Sequence, residues 1–102
     1  MDTGDLVDAV RAHRAVELEY RTRAGVGVRI VHPHAVYRTS SGKLCLDGVQ
    51  VSGDTRSGPL PAWRAFELMK VVNARVLDAE FSPAPDYDPT SDKYRHGLLA
   101  SA

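Results

Sequence analysis

The sequence has one cysteine, one tryptophan and no long apolar run. Because Cys45 has no second cysteine to pair with, an intrachain disulfide is excluded and a reducing compartment is indicated. No apolar run approaches the roughly 20 residues that a membrane-spanning helix needs. The first five residues also lack the basic and apolar regions of a signal peptide. We therefore expect a cytoplasmic protein without a membrane partner.

The chain has no net charge, yet its charges are unevenly placed. Residues 11–75 hold eleven Lys/Arg and five Asp/Glu, whereas residues 1–10 hold three Asp, and residues 76–102 hold two Lys/Arg and five Asp/Glu. A basic middle favours anionic partners such as nucleotides or nucleic acid. The alternative is an ordinary solvated surface that the acidic ends neutralise.

The hydrophobic periodicity predicts a mainly β (α+β) domain with one N-terminal helix. Apolar residues at three- and four-residue spacings predict a helix over residues 4–14. Alternating patterns predict strands separated by a turn at 24–27 and a hairpin at 39–42, and Pro33 should mark a strand end or bend. The predicted strands cover residues 16–21, 28–31, 35–38, 43–51, 63–68 and 75–81.

Two segments have the composition of loops. Residues 52–61 are rich in Gly, Ser and Pro and carry Arg56, and a loop of this length is often a binding element. Residues 82–102 begin with a proline- and acid-rich stretch, which is typical of extended or disordered chain. The sequence therefore divides into a domain over residues 1–81 and a C-terminal tail over 82–102, with a short C-terminal helix as an option for the tail.

The segment from Pro61 to Val71 is the most informative part of the sequence. Strand alternation places Arg64, Phe66 and Leu68 on one face, so a cation stands beside two core-forming side chains. A buried charge is costly unless it is paired. We therefore expect Arg64 at the mouth of the core, aimed at a partner.

Four segments in this order resemble a WYL domain over residues 5–81. They are Leu18 with Tyr20, Arg29–Pro33, Gly42–Leu46 and Trp63–Val71. The resemblance implies a small SH3-like or Sm-like β-barrel that senses a ligand or binds nucleic acid. WYL domains usually follow a helix-turn-helix unit in bacterial transcription regulators, and some serve defence systems. Because residues 1–14 offer one helix, the chain resembles a stand-alone WYL module or a remnant that acts through a protein partner, and such a partner could supply the DNA-binding domain.

One departure from the family concerns the three residues that give it its name. They fall at Leu44, Cys45 and Leu46, and only Leu46 fits the family pattern. A cysteine cannot replace the ring or hydroxyl of a tyrosine. We therefore expect a different ligand or affinity, or a degenerate site.

Basic residues form the predicted binding site. Arg29, Arg64 and Lys70 match basic positions of the family, and Arg38 and Arg56 are expected to add to them. Arginine pairs bidentately with phosphate. The alternative is that the arginines pair with Glu17, Glu19 or Glu67. Likewise, Tyr20, Tyr37 or Trp63 could stack on a base, although Tyr20 and Trp63 are more typical of core residues.

Other chemistries have weaker support in the sequence. His32 and His34 flank a proline without the further ligands that a structural zinc site wants, so no metal is expected. No obvious general base accompanies Cys45 in the sequence to activate its thiol, so we expect it to pack as an unreactive strand residue. We expect no enzyme activity and no cofactor. The sequence thus predicts a regulatory module that binds a nucleotide or single-stranded nucleic acid. The alternative is a protein-interaction or oligomerisation domain, such as a homodimer joined through strand edges.

Overall fold

The computed structural model describes residues 3–55 and 58–102 and is mainly β, with one N-terminal helix. This confirms the predicted fold class. Within the described residues no helix has the length and apolarity to cross a membrane. Single 3-10 turns cover Leu68–Lys70 and Asp92–Tyr94. The helix and strands are α1 Thr3–Ala12, β1 Arg14–Thr22, β2 Gly25–Arg38, β3 Leu44–Gly53, β4 Ala62–Glu67, β5 Val71–Glu80 and β6 Leu98–Ser101.

The strands form one antiparallel sheet in the order β4-β3-β2-β1-β5, with β6 paired to β2. One edge of strand β2 pairs with β3, and the other edge is long enough to pair with two strands in succession. Its first part pairs with β1 from Gly25 to Val31, and its last part pairs with β6 from Ala35 to Tyr37. The C-terminal strand therefore takes a place along β2 beyond the end of β1.

Two predicted boundaries differ from the structure. β2 continues through Pro33, so a strand end there is wrong, but the register with β3 shifts between Pro33 and Ala35. Proline has no N–H for the ladder, and an irregular position tolerates that loss. The first hairpin turn comes earlier than the predicted 24–27, because Thr22 already pairs with Gly25. Gly25 has a φ of 117°, which glycine adopts without strain.

The main core lies between α1 and one face of the sheet. Leu6 and Val10 of the helix are fully buried against it, as the predicted apolar stripe requires. The alternation in β3 is also confirmed, because Leu46 belongs to this core and Cys45 lies in a separate cluster with Tyr37. The sheet residues of the main core are Val16, Leu18, Val31, Val36, Leu46, Phe66 and Ala100, and Leu68 of the first 3-10 turn joins them.

The C-terminal segment packs on the fold. Tyr94 is 8% exposed and joins Ala35, Tyr37 and Cys45 in the second cluster, and Tyr87 packs against it. Of the two expectations for this segment, extended or disordered chain, the structure shows packed chain, because its residues supply aromatic contacts and strand β6. The tail ends in strand β6, Leu98–Ser101, and not in the short C-terminal helix that was one option for it. The division of the chain at residue 81 stays a prediction.

Candidate functional site

Tyr20 joins two strands that are not neighbours in the sheet. Its Oη accepts a hydrogen bond from the backbone N–H of Glu67 at 3.0 Å, and its ring meets Phe66 edge-on with 5.1 Å between centroids. β1 and β4 are separated by β2 and β3 in the sheet order. The contact therefore requires the sheet to curl, which creates a concave side near Tyr20.

A recess of about 200 Å³ opens at this place, and we call it the arginine recess. Strands β1 to β4 all contribute to it, so its shape depends on the curl of the sheet. Two of its lining side chains are cations and none is a carboxylate. The lining residues are Tyr20, Thr22, Arg29, Gln50, Arg64, Ala65 and Phe66.

Arg29 is half-buried and bonds only to neutral groups. Its Nη1 donates to the carbonyl oxygen of Gly27 at 3.1 Å and to that of Tyr20 at 3.4 Å. The guanidinium carbon lies 5.2 Å from the centroid of the Tyr20 ring, a cation–π distance. These contacts fix the side chain, and no carboxylate of the described residues forms an ion pair with it.

Arg64 is also half-buried and bonds to neutral groups. Its Nη1 donates to the carbonyl oxygen of Trp63 at 3.1 Å, and its Nη2 donates to Oγ1 of Thr55 at 3.2 Å. The structure places it beside Phe66 at the recess, as the sequence predicts for the mouth of the core. Among the described residues neither Arg64 nor Arg29 forms an ion pair with a carboxylate.

Two of the three glutamates that could have paired with these arginines have other partners. Glu17 pairs with Arg75 at 3.2 Å. Glu67 pairs with Lys43 at 2.9 Å and with Lys70. Hydrogen bonds from Lys70 and then Lys43 lower the pKa of the Glu67 carboxyl below its usual range. Lys70 is therefore engaged in an exposed ion pair and does not line the arginine recess.

The other predicted site residues are placed elsewhere or are not described. Arg38 ends β2, nine positions after Arg29, and its Nη1 donates to the carbonyl oxygen of Gly42 at 3.2 Å. Arg56 lies outside the described residues. Of the five predicted cations, the structure brings Arg29 and Arg64 together in one recess. The binding role of all five stays a prediction.

Sequence reasoning missed Gln50, which is 1% exposed and lines the arginine recess. Its Nε2 donates to the carbonyl oxygens of Asp54 at 2.8 Å and of Ser52 at 3.2 Å. A signal was available, since Gln50 shares its strand face with Leu44 and Leu46. A polar side chain on an otherwise apolar face needs a local partner or a role.

A second recess of about 260 Å³ lies between β4 and the C-terminal segment, and its charges are mixed. Asp47, Asp86 and Asp88 line it together with Arg64 and Lys93, so an anion would meet three carboxylates there. The other lining residues are Trp63, Ala65, Tyr87, Ser91 and Tyr94. This charge balance makes the arginine recess the better candidate for an anionic ligand.

Trp63 belongs to this second recess and to neither buried cluster. Its indole Nε1 donates to Oδ2 of Asp86 at 2.9 Å, and its ring stacks loosely on Tyr87 with 6.2 Å between centroids. The expectation that Trp63 fills the core is wrong. The C-terminal segment, which local patterns did not place, supplies its partners.

His34 and Cys45 show why metal binding and nucleophilic chemistry have little support. His34 uses both ring nitrogens, Nδ1 toward the carbonyl oxygen of His32 at 2.7 Å and Nε2 toward the N–H of Ala84 at 2.9 Å. Neither nitrogen is therefore available to a metal in this arrangement. Burial, followed by Glu67 and Asp47, raises the pKa of the Cys45 thiol, which disfavours the reactive thiolate.

The fold and the recess together define a small curled β-sheet module with an N-terminal helix and two arginines that form no ion pair within the described part of the chain. No family model matches the chain, and no curated protein matches it. Among solved structures, the fold is similar to that of proteasome accessory factor B/C of Arthrobacter aurescens, with a TM-score of 0.69 and 24% sequence identity. The match covers 85% of this chain and 13% of that one. This likeness supports a WYL-like fold.

Proposed function

We propose that this protein is a non-enzymatic regulatory or sensing module that binds a nucleotide or short single-stranded nucleic acid in the arginine recess. One observation carries the proposal, namely that Arg29 and Arg64 line one recess without a carboxylate partner among the described residues. The fold likeness to proteasome accessory factor B/C fits a regulatory or sensing role.

The chemistry of the two guanidiniums favours a phosphate. Each guanidinium has five N–H donors, and the hydrogen bonds of Arg29 and Arg64 use only part of them. A cation that is half removed from water gains free energy when an anion pairs with it. The neutral partners hold both side chains in place, so less side-chain entropy is lost on binding.

The size of the recess limits how much ligand it encloses. Its volume of about 200 Å³ is below the roughly 300–1,000 Å³ of pockets that surround a whole drug-sized ligand. A phosphate and part of a sugar would enter, and the remaining nucleotide would lie outside. Regulation would follow if the ligand prefers one state of the module or one partner, such as a protein that supplies a DNA-binding domain.

Fluorescence anisotropy with labelled single-stranded RNA and DNA across a salt series tests this function. We expect saturable binding that weakens as salt rises, because phosphate contacts release counterions. Arg29→Ala and Arg64→Ala should each weaken binding by about tenfold, as is typical when a charge-assisted contact is lost.

Arg38→Ala is the matched control, since it removes the same charge at the other end of β2. We expect it to change affinity by less than about twofold, because a distant exposed charge is largely screened. Full binding by the double variant Arg29→Ala/Arg64→Ala would contradict the proposed site. Equal losses in all three single variants would indicate general charge attraction in its place.

A second function, protein–protein interaction, is favoured by strand β5. In the described part of the chain β5 pairs with β1 on one side and with no strand on the other. Val72 and Val76 on it are 45% and 41% exposed. An open strand edge with apolar side chains is able to pair with another chain. A dimer in light scattering that persists in high salt and does not respond to nucleotides would favour this function.

A further inference from the structure

The side-chain amide of Gln50 has a fixed orientation in the arginine recess. Its Nε2 lies within hydrogen-bond distance of two backbone carbonyl oxygens, those of Ser52 and Asp54. A carbonyl accepts hydrogen bonds and does not donate them, so the atom facing both must be the amide nitrogen and not the oxygen. Both N–H groups of Gln50 are therefore used inside the protein.

This leaves the amide oxygen of Gln50 as the group available to a ligand. Gln50 lines the recess beside Arg29 and Arg64, and its Oε1 has no hydrogen-bond partner among the described residues. An amide oxygen only accepts hydrogen bonds. The recess thus combines two guanidinium cations with the amide oxygen of Gln50 as a neutral acceptor, and a matching ligand has an anionic group close to a hydrogen-bond donor.

We propose that the arginine recess selects ribonucleotides over deoxyribonucleotides, with Gln50 as the residue that determines the selection. In this arrangement the phosphate meets Arg29 and Arg64, and the ribose 2′-hydroxyl donates a hydrogen bond to Oε1 of Gln50. The 2′-hydroxyl is the group by which proteins tell RNA from DNA at a given site. The inference rests on the proposed function, because it takes the recess to be the phosphate site.

The small volume of the recess favours a sugar hydroxyl over a base as the donor. A recess of about 200 Å³ is smaller than the roughly 300–1,000 Å³ of pockets that surround a whole drug-sized ligand, so it admits a phosphate and the adjoining part of its sugar. The 2′-hydroxyl lies on the sugar that carries the phosphate. The amino groups of adenine, cytosine and guanine lie at the far edge of the base and would stay outside.

The test uses the full chain and four labelled hexanucleotides, each made of six uridines. They differ only at the 2′ position of the sugar, which carries a hydroxyl (RNA), a fluorine, an O-methyl group or a hydrogen (2′-deoxy). The last three lack a 2′ donor, and the 2′-fluoro form keeps an RNA-like sugar conformation, so it separates the donor from the shape. We expect RNA to bind about three- to tenfold more tightly than each of the others, the worth of one neutral hydrogen bond. Equal anisotropy curves for RNA and the 2′-fluoro form would overturn the inference.

A Gln50→Leu variant gives the second readout. Leucine removes the acceptor, so we expect the ratio of RNA to 2′-fluoro affinity to fall to about one, in keeping with the loss of one hydrogen bond. A purely structural effect would weaken all four ligands equally and leave the ratio unchanged, which would overturn the inference. Arg64→Ala is the control, since it should weaken all four ligands and preserve the ratio. If the leucine variant does not fold, the comparison of ligands on the unmodified chain still decides.

The failure of the inference differs from the failure of the proposed function. Binding that depends on Arg64 but does not distinguish RNA from the 2′-fluoro form contradicts only the role of Gln50. No binding of any of the four hexanucleotides at low salt contradicts both.

Discussion

At the scale of single residues, Asp47 shows how this small protein accommodates a buried carboxylate. Its side chain is 4% exposed and forms an ion pair with Lys93 at 2.8 Å. The hydroxyls of Tyr37 and Tyr94 donate to its two oxygens at 2.9 and 2.8 Å. Burial, together with Asp47, raises the pKa of both tyrosines above their usual range, so both hydroxyls stay protonated as donors. The charge is tolerated because each oxygen has partners.

The first prediction concerns Tyr94, whose hydroxyl bonds to this charged group. Tyr94→Phe should lower the free energy of unfolding by about 1.5–3 kcal/mol, since a hydrogen bond to a buried charge is lost. Urea denaturation followed by circular dichroism measures the change. Tyr87→Phe is the control, because the Tyr87 hydroxyl bonds to the neutral Oγ of Ser101 at 2.7 Å. A loss in Tyr87→Phe as large as that in Tyr94→Phe would contradict the charge-based explanation.

The second prediction concerns the reactivity of Cys45. Because its pKa is raised, mainly by burial, the folded protein holds less thiolate at pH 8 than an exposed cysteine does. Iodoacetamide should therefore alkylate Cys45 at least about tenfold more slowly in the folded protein than in urea, as expected for a buried thiol. Mass spectrometry of the time course measures both rates. Equal rates would mean that the thiol is accessible and ionised in the folded state.

Individual residues also show how far sequence reasoning reaches. The apolar neighbours of Arg64 predicted its place at the mouth of the core, since strand alternation is a local property. The separation of Arg38 from Arg29 could not be predicted, because it depends on where the strand ends lie in the sheet. Gln50 was recognisable as a polar residue on an apolar face, but its partners are backbone carbonyl oxygens at the end of β3 and just after it, those of Ser52 and Asp54.

At the scale of elements, His34 holds the start of the C-terminal segment. Its Nε2 accepts the N–H of Ala84, which requires an unprotonated nitrogen. Burial is the largest cause that lowers the pKa of His34. The hydrogen bond to the carbonyl oxygen of His32 opposes this effect, the charges of His32 and His13 add to it, and the charge of Asp86 opposes it. The rings of Phe81, Trp63 and Tyr87 complete its surroundings.

The third prediction concerns the pH dependence of stability. The unfolded chain binds a proton at His34 near the ordinary value of 6.5, and the folded chain does so only at lower pH. At a pH between the pKa of His34 in the folded chain and its pKa in the unfolded chain, the unfolded state holds more protons than the folded state. The free energy of unfolding therefore falls as pH falls below about 6.5. Thermal melting at pH 7, 6 and 5 should show a decreasing midpoint.

A His34→Gln variant should show a smaller decrease between pH 7 and pH 5. The slope should not vanish, since burial also lowers the pKa of His32. His96→Gln is the control, because His96 is an exposed histidine. The explanation fails if the His34 variant follows the same pH curve as the unmodified protein.

The elements differ in how well local patterns predict them. Alternation in β1 and β3 predicts their faces correctly, because alternate residues point to opposite faces of a strand and the apolar side chains of each strand pack against the main core. Residues 82–97 have few such patterns, and their first part is rich in proline and aspartate. What holds them in place is a set of single contacts with distant residues, such as Trp63 with Asp86 and Asp47 with Tyr94. Contacts of this kind have no signature in the local sequence.

At the scale of the whole molecule, the fourth prediction tests the division at residue 81. A chain that ends at Phe81 lacks β6 and Tyr94, and it leaves Asp47 with Tyr37 as its described partner. We expect the free energy of unfolding to fall by about 3–5 kcal/mol, as when a partner of a buried charge is removed. Differential scanning calorimetry should show a midpoint lower by about 10 °C or more, or no cooperative transition.

A chain that ends at Gly97 is the matched control, because it loses β6 and keeps Tyr94 and Lys93 bound to Asp47. It should retain a cooperative transition at an intermediate temperature. If the chain that ends at Phe81 melts like the full chain, residues 1–81 form an independent domain and the predicted division is correct.

The pairing of β2 with β6 also has a consequence for synthesis of the chain. Ala35 pairs with Ser101, which is made about 65 residues later. At roughly 5–20 residues per second, the end of β2 waits about 3–13 s on the ribosome before its last partner exists. An unpaired strand edge invites association with other chains. In each round of translation, the end of β2 therefore stays an open strand edge of the nascent protein until the last residues of the chain are made and cover it.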